Sequence, residues 1–480
     1  MDPEVGAPFR SAPVDPSLVV DPDPGWYHAD LHVHGYHSAG DAPEWDDIVE
    51  QARVAGLEVL PVTEYVTGQH WDELGPVQAR NPDLLLWPGR EVITYFGHAI
   101  VLGETRSVLE YRHGFEDVSM VAIQDRTLAD GALFGVAHPT TFSGPLFASF
   151  CRGCEYTLGD VTDWSRVDTI EVLTGPVLAT SAEAGIPFDP GARIANPFLR
   201  TAIEGWDELL QAGFRITAVS GSDSKANEPE DERDRVGIGS SATAILADEL
   251  SRPALAEGLR SGRAYVRSLG ALRSPELDIV ATADDGSTAG IGDDLAADAA
   301  DLAITVTGGV GDTIVLIRNG QRHGPAIEVT SDPFTATVPI ERDPAGEGPL
   351  GTWVRVETIR AVEIVDGVAL PDQLADLPLD VPADADVLRF PSTLANPVFL
   401  TGATSPDDGA GAGAGDGENA PPATGGEGTG GGEAADRPLP VTGPMGPITA
   451  GLVLLAAGAA LTWRRASSRG TTPTAQRASM

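Results

Sequence analysis

Apolar positions follow two different periods along this chain. Up to about residue 268, "LEVLPVT" and "RITAVSGSD" are short continuous apolar runs entering turns, which predicts buried strands. "EWDDIVEQARVAGL" sets Ile48, Val49, Ala52 and Leu57 near helical spacing with Gly56 close to the end, which predicts a helix. Strands alternating with helices predict an α/β region with parallel strands over residues 26–268, after an extended N-terminal segment, 1–25. From 269 to 402 the pattern changes. "LAITVTG", "TIVLIRNG", "FTATVPI", "TWVRVETI" and "NPVFLTG" have mostly period two and are separated by Gly, Asp and Pro. This predicts a small antiparallel β-sandwich.

The rest of the chain is patterned differently again. Residues 403–438, rich in Gly, Ala and acidic groups, offer almost no apolar side chain to bury. Ordering them would cost entropy without return, so a disordered linker is expected. An apolar run, Ile448–Trp463, is expected to form one short transmembrane helix. Arg464, Arg465 and Arg469 follow it, which puts the 471–480 tail in the cytoplasm.

Composition narrows the class. Apolar residues make up 42% of 480, enough for a core. The formal net charge of −40 repels a phosphate backbone and argues against nucleic-acid binding. The two cysteines, Cys151 and Cys154, form a lone CxxC. Without a second ligand pair they do not make a structural zinc site; a loop-closing disulfide or an incidental role remain open.

Eight of nine histidines fall before residue 139. In "HADLHVHGYHSAG", His32 and His34 stand two apart at a strand end, so both imidazoles share a face. That is half of a first-row metal site, with His28 and Asp30 on the same face as expected supporting partners. "LLLWPGREVITYFGHAIVLG" then supplies Glu91 and His98, "GVAHPTTF" supplies His138, and "ITAVSGSDSK" supplies Asp223. Each lies where an apolar strand runs into a turn, the functional face of (β/α) barrels.

In this order, "DLHVH…S…G", "VTEY", "PGREV…GHA", "AHP" and "GSDS" resemble the motifs of the polymerase-and-histidinol-phosphatase (PHP) superfamily, nearest its CehA/McbA-type metallohydrolase branch. The resemblance covers roughly residues 26–402. It implies a distorted (β/α)7 barrel, followed by the sandwich, with metals at the strand C-termini. His32, His34, Glu91 and Asp223 would hold a first ion; Glu91, as a bridge, would hold a second with His98 and His138. The chain departs from the branch at a third site: Ala39 for Asp, Glu64-Tyr65 for Asp-His, and Lys225 for His. His37 or His70 is an alternative ligand there. Lys225, the only lysine in the chain, either holds an anionic substrate or is a solvated loop residue. Tyr65 either donates to a leaving group or packs.

"LPVTG" at Leu439–Gly443, then the apolar run and the arginines, resembles the LPxTG wall-sorting signal of Gram-positive bacteria. It implies that a sortase cuts between Thr442 and Gly443 and joins Thr442 to peptidoglycan, so that the chain meets the membrane only through its helix before processing. Export needs an N-terminal signal. "MDPEVGAPFRSAPVDPS" has neither a basic nor an apolar signal region, so the natural frame is expected to begin upstream or the sequence to be trimmed. The expected function is a surface-anchored hydrolase with two divalent ions (Zn, Mn or Fe), catalytic groups Glu91, Asp223, Lys225 and Tyr65, and a phosphoester or a carboxylic or carbamic ester as substrate. The rival expectation is a non-catalytic surface protein that binds metal or a wall ligand.

Overall fold

The computed structural model describes residues 14–38, 44–65, 68–103, 113–114, 118–143, 153–180, 193–225, 237–363 and 387–402. Ala39, Cys151, the 403–438 linker, Leu439–Gly443 and Ile448–Trp463 lie outside the described residues. No helix among the described residues is long and apolar enough to cross a membrane.

Helices form where apolar side chains recur at intervals of three and four. In α1 (Trp45–Val54), Trp45, Ile48, Val49 and Ala52 are buried on one face, and Asp46 and Asp47 in the first turn complement the helix dipole. The helix stops before Gly56, whose φ of +74° suits glycine, and a Cβ there would lie 2.6 Å from Leu272. The other helices are α2 (Trp71–Arg80), α3 (Met120–Ala129), α4 (Leu199–Gln211) and α5 (Arg252–Arg260). In α4, Leu199, Ala202, Ile203, Trp206, Leu209 and Leu210 are buried.

The main sheet of the first region is built from β1 (Gly25–Ala29), β2 (Val59–Val62), β3 (Leu85–Ile93), β4 (His98–Leu102), β5 (Leu133–Val136), β6 (Thr169–Thr174), β7 (Thr217–Gly221), β8 (Ala242–Ala247) and β9 (Ala264–Arg267). They pair in the order β7-β6-β5-β4-β3-β2-β1-β8-β9. β1, β2 and β3 are parallel, as are β5, β6 and β7. The expectation of parallel strands fails at β8, which is antiparallel to both β1 and β9, and at β4, which is antiparallel to both β3 and β5. At β4 the reason is chain length: only Thr94–Gly97 join β3 to β4, and a parallel crossover needs a dozen residues or more.

Beyond β1, the chain lies between the ends of β2 and β7. Thr63 N–H donates to Val33 O (2.7 Å), Asp223 N–H to His32 O (2.8 Å) and His34 N–H to Ser224 O (3.0 Å). Elsewhere β7 has ladder bonds on one side only, and side chains satisfy its other edge. Asn396 bonds both Ala218 N (2.8 Å) and Ala218 O (3.0 Å), while the Thr243 hydroxyl bonds Ser220 N (2.9 Å) and Ser220 O (3.0 Å).

The second region has two layers. Leu277 and Ile279 of the strand Glu276–Thr282, with Leu302, Ile304 and Val306 of Ala299–Thr307, pack on Ile314, Leu316, Val354 and Val356 of Thr313–Arg318 and Thr352–Glu363. Alternating burial along Ala299–Thr307 is the period-two pattern read in the sequence. The first-region sheet continues into this layer, because Tyr265 and Val266 of β9 pair with Ala395 and Leu394.

Candidate metal centre

The strand ends of the first region bring four histidines and two carboxylates together. His32 and His34 follow β1, Glu91 stands near the end of β3, and His98 opens the antiparallel β4 at that same end. His138 follows β5 and Asp223 follows β7. His32 Nε2 and His34 Nε2 lie 3.1 Å apart. Asp223 Oδ1 is 3.3 Å and 3.0 Å from them. Glu91 Oε2 completes this group at 3.6 Å and 3.2 Å. The other oxygen, Glu91 Oε1, faces a second group, 2.8 Å from His98 Nδ1 and 3.2 Å from His138 Nε2. Within each set, His32–His34–Glu91–Asp223 and Glu91–His98–His138, the ligand atoms lie within 4.8 Å of one another.

The hydrogen bonds behind these side chains decide which ring nitrogen faces the centre. His32 Nδ1 is 3.0 Å from Glu171 Oε1, and His138 Nδ1 is 2.9 Å from the Cys154 carbonyl. Both partners only accept, so Nδ1–H donates and Nε2 is the atom each ring turns to the centre, a lone pair for an ion once its own proton is lost. His34 Nδ1 lies 3.1 Å from Ser38 Oγ, whose own hydroxyl donates to Glu64 Oε2. Ser38 therefore accepts from His34, and this Nε2 turns to the centre as well. Three imidazole lone pairs and a carboxylate with one oxygen toward each group form a donor set that fits two first-row divalent ions.

Electrostatics agree with that fit. Burial opposes charge on His32, yet Glu171, Asp223 and Glu91 hold its imidazole well above the usual histidine range. Burial likewise opposes ionisation of Glu91, but His32, His138 and His34 hold it well below the usual carboxylate range. Asp223 is held down against burial by Lys225, His32 and His34. A buried cluster this rich in carboxylate demands positive charge.

The remaining residues singled out in the sequence are distributed as follows. The Lys225 ammonium pairs with Asp223 Oδ1, the oxygen facing His32 and His34. The Tyr65 ring stands edge-on to His34, with centroids 5.0 Å apart. Glu64 takes the Gly35 and His37 N–H groups (3.0 and 3.3 Å) besides Ser38, so it ties the loop that follows the His32–His34 pair. His37 is paired with Glu73 (3.2 Å), and His70 is bonded to the Gly89 carbonyl (2.9 Å); neither belongs to the two groups.

The expectation that Asp30 and His28 support the histidine pair through their side chains is corrected. Asp30 accepts from the backbone N–H of Ser222 (2.8 Å), Gly239 (2.8 Å) and His32 (3.3 Å), so it shapes the chain rather than an imidazole. His28 is engaged by Glu58 and Arg267. Glu171 was not singled out as a functional residue. Its signal was a carboxylate set inside the apolar run "TIEVL". It accepts from His32 Nδ1, from His138 N–H (2.9 Å) and from the Thr174 hydroxyl (3.2 Å), and so serves both groups.

No family model matches the chain, and no curated protein matches it. Among solved structures it is similar to a two-domain protein from Bacteroides vulgatus containing a predicted PHP-like metal-dependent phosphoesterase. The identity is 16% and the TM-score 0.38, over 73% of this chain and 95% of that one. It is also similar to a protein from Bifidobacterium adolescentis named as a metal-dependent phosphoesterase, at 14% identity and a TM-score of 0.26, over 42% of this chain and 88% of that one.

Proposed function

We propose that this chain is a metal-dependent hydrolase of ester bonds, phosphoesters foremost, with two divalent ions at the mouth of a distorted PHP-type (β/α)7 barrel. One observation carries the reading: the two oxygens of Glu91 face two separate histidine groups. Two ions bound there would supply Lewis acidity and lower the pKa of a shared water. The protein's own part is to hold four imidazoles and two carboxylates fixed before substrate arrives. Lys225 adds an ammonium beside Asp223, suited to an anionic oxygen of the substrate. Tyr65 adds a phenol beside His34, raised above its usual range by burial.

The test is elemental analysis of the purified full chain together with a turnover screen on aryl phosphomonoesters, phosphodiesters and carboxylic esters. About two ions per chain with metal-dependent turnover is the expected result. Absence of any bound ion after loading with Zn, Mn or Fe overturns the proposal. The Lys225–Asp223 contact favours a second reading, a surface protein that binds metal or a wall ligand without turnover, because an ammonium there competes for a ligand oxygen. Two bound ions without turnover on any ester class would select it.

We also propose surface anchoring through "LPVTG". Muralytic digestion of walls should release the chain ending at Thr442, and Thr442→Ala should move it to the membrane fraction. A protein confined to the cytosol, with no export signal upstream in the gene, overturns this part and leaves the metal centre untouched.

A further inference from the structure

A cavity of about 410 Å3 lies at the far end of strands β3 and β4 from the metal centre, and that volume is in the range of small-molecule sites. Trp87 of β3 and Leu102, which ends β4, line it. Glu91 and His98, the metal-facing residues of the same two strands, each stand four positions along. At ~3.3 Å per residue the separation is roughly 13 Å. No metal-facing residue lines the cavity. Most of its wall is apolar, with Trp71, Leu74 and Leu133 beside Trp87 and Leu102. The Trp71 indole N–H donates to the Gly89 carbonyl (3.1 Å), which leaves that ring apolar surface to offer.

Three ionisable side chains complete the wall: Arg252, Arg260 and Asp72. Arg252 is 9% exposed. Its guanidinium donates only to neutral acceptors, from Nε to Leu86 O (2.8 Å), from Nη1 to Asp15 O (2.7 Å) and from Nη2 to Gln78 Oε1 (3.3 Å). A guanidinium has five N–H groups, so one is left on each terminal nitrogen. Among the described residues no carboxylate pairs with it. Burial pushes the group down to about 10, and Asp15, whose exposed carboxylate is bonded to Ser17, pulls back only in part. Arg260 is partly engaged, 3.7 Å from Asp168 and 41% exposed. A buried cation held by neutral partners alone is unfavourable until an anion joins it.

We propose that this cavity is a second ligand site, for a small organic acid: one carboxylate on a flat apolar body. The carboxylate takes the remaining N–H groups of Arg252, and the body lies against the tryptophan and leucine wall. Arg252 is fixed before the ligand arrives, because its three bonds join the Asp15 segment, β3 and α2. Asp72 on the same wall limits the charge the site accepts. One unpaired guanidinium beside one carboxylate suits a single negative charge and disfavours a polyphosphate. The site does not depend on the metal reading above.

The test is calorimetric titration of the metal-free full chain with naphthoate, its neutral amide naphthamide, and inorganic phosphate. Naphthoate should bind once per chain and quench tryptophan fluorescence. Naphthamide should bind about 10- to 100-fold more weakly, the range for a hydrogen bond to a charged group. Phosphate, which lacks the apolar body, should also bind more weakly than naphthoate. Ala256 lines the cavity from α5, so Ala256→Trp should fill it and abolish naphthoate binding without removing a partner of Arg252. Arg252→Gln should reduce naphthoate to the level of the amide. Lys225→Ala should leave naphthoate binding unchanged, which separates this cavity from the metal centre. No saturable binding of naphthoate, equal binding of acid and amide, phosphate binding as tightly as naphthoate, or naphthoate binding that survives Ala256→Trp or is lost in Lys225→Ala would each overturn the proposal. If Arg252→Gln does not fold, the acid–amide difference in the wild type and Ala256→Trp decide it.

Discussion

Glu171→Gln keeps shape and volume while changing one acceptor into a donor. In the wild type both carboxylate oxygens accept: one from His32 Nδ1–H, the other from His138 N–H and the Thr174 hydroxyl. The amide has one accepting oxygen and one donating nitrogen. If its oxygen faces His32, the NH2 group meets the backbone N–H of His138, donor against donor. If the amide turns over, the NH2 group faces His32 Nδ1 and forces the proton onto Nε2, removing the lone pair that faces the first group. Either way a buried donor or a ligand lone pair is lost, at a cost of about 1–3 kcal/mol. For a group that orients a metal-binding histidine, the expected loss is about 10- to 100-fold in ion affinity, or about 1.4–2.7 kcal/mol, within the same range. Competition titration with a chromogenic chelator measures the affinity, and histidine ring nitrogen shifts report which nitrogen of His32 carries the proton. Urea unfolding of the metal-free chain separates a folding defect from a binding one. Wild-type affinity with His32 still protonated at Nδ1 would refute the reasoning, because Glu171 would then be only a buried acid with satisfied neighbours.

Three further outcomes are expected. Glu91→Ala should lower occupancy of both groups together, whereas His138→Ala should affect only the second; full activity of Glu91→Ala would rule out the bridge. Lys225→Ala should reduce kcat/KM for phosphomonoesters about tenfold, the low end for a charged hydrogen bond because the side chain is partly exposed, with little change for neutral esters; equal effects on both classes would leave Lys225 a loop residue. Burial pushes His70 from its ordinary value of 6.5 down to about 4, so it folds as the neutral form. Its stabilising contribution is fully present above pH 6.5 and is lost as pH falls toward 4, a drop of about 2 kcal/mol between pH 7 and pH 5. Urea midpoints at the two pH values should show that drop in the wild type and a smaller one in His70→Gln; equal drops in both would refute the assignment.

The sequence by itself determined where helix α1 and strands β2 and β7 run, because each is a local pattern. Ile48, Val49 and Ala52 repeat at helical spacing, and continuous apolar runs end in turns. It also determined which ionisable side chains stand at strand ends: His32, His34, Glu91, His98, His138 and Asp223 are the residues the fold brings within reach of one another. Strand period fixes the face a side chain takes, and the ends of neighbouring strands carry those faces to one edge of the sheet. Tertiary structure alone decided the rest. The reversed direction of β4 depends on how a four-residue hairpin closes against β3. Which nitrogen each imidazole presents depends on Glu171, 139 residues from His32 in sequence, on the Ser38–Glu64 pair, and on a backbone carbonyl at Cys154. The two ring nitrogens are equivalent in the sequence. They become distinct only when the fold sets an acceptor against one of them, and no local pattern carries that information.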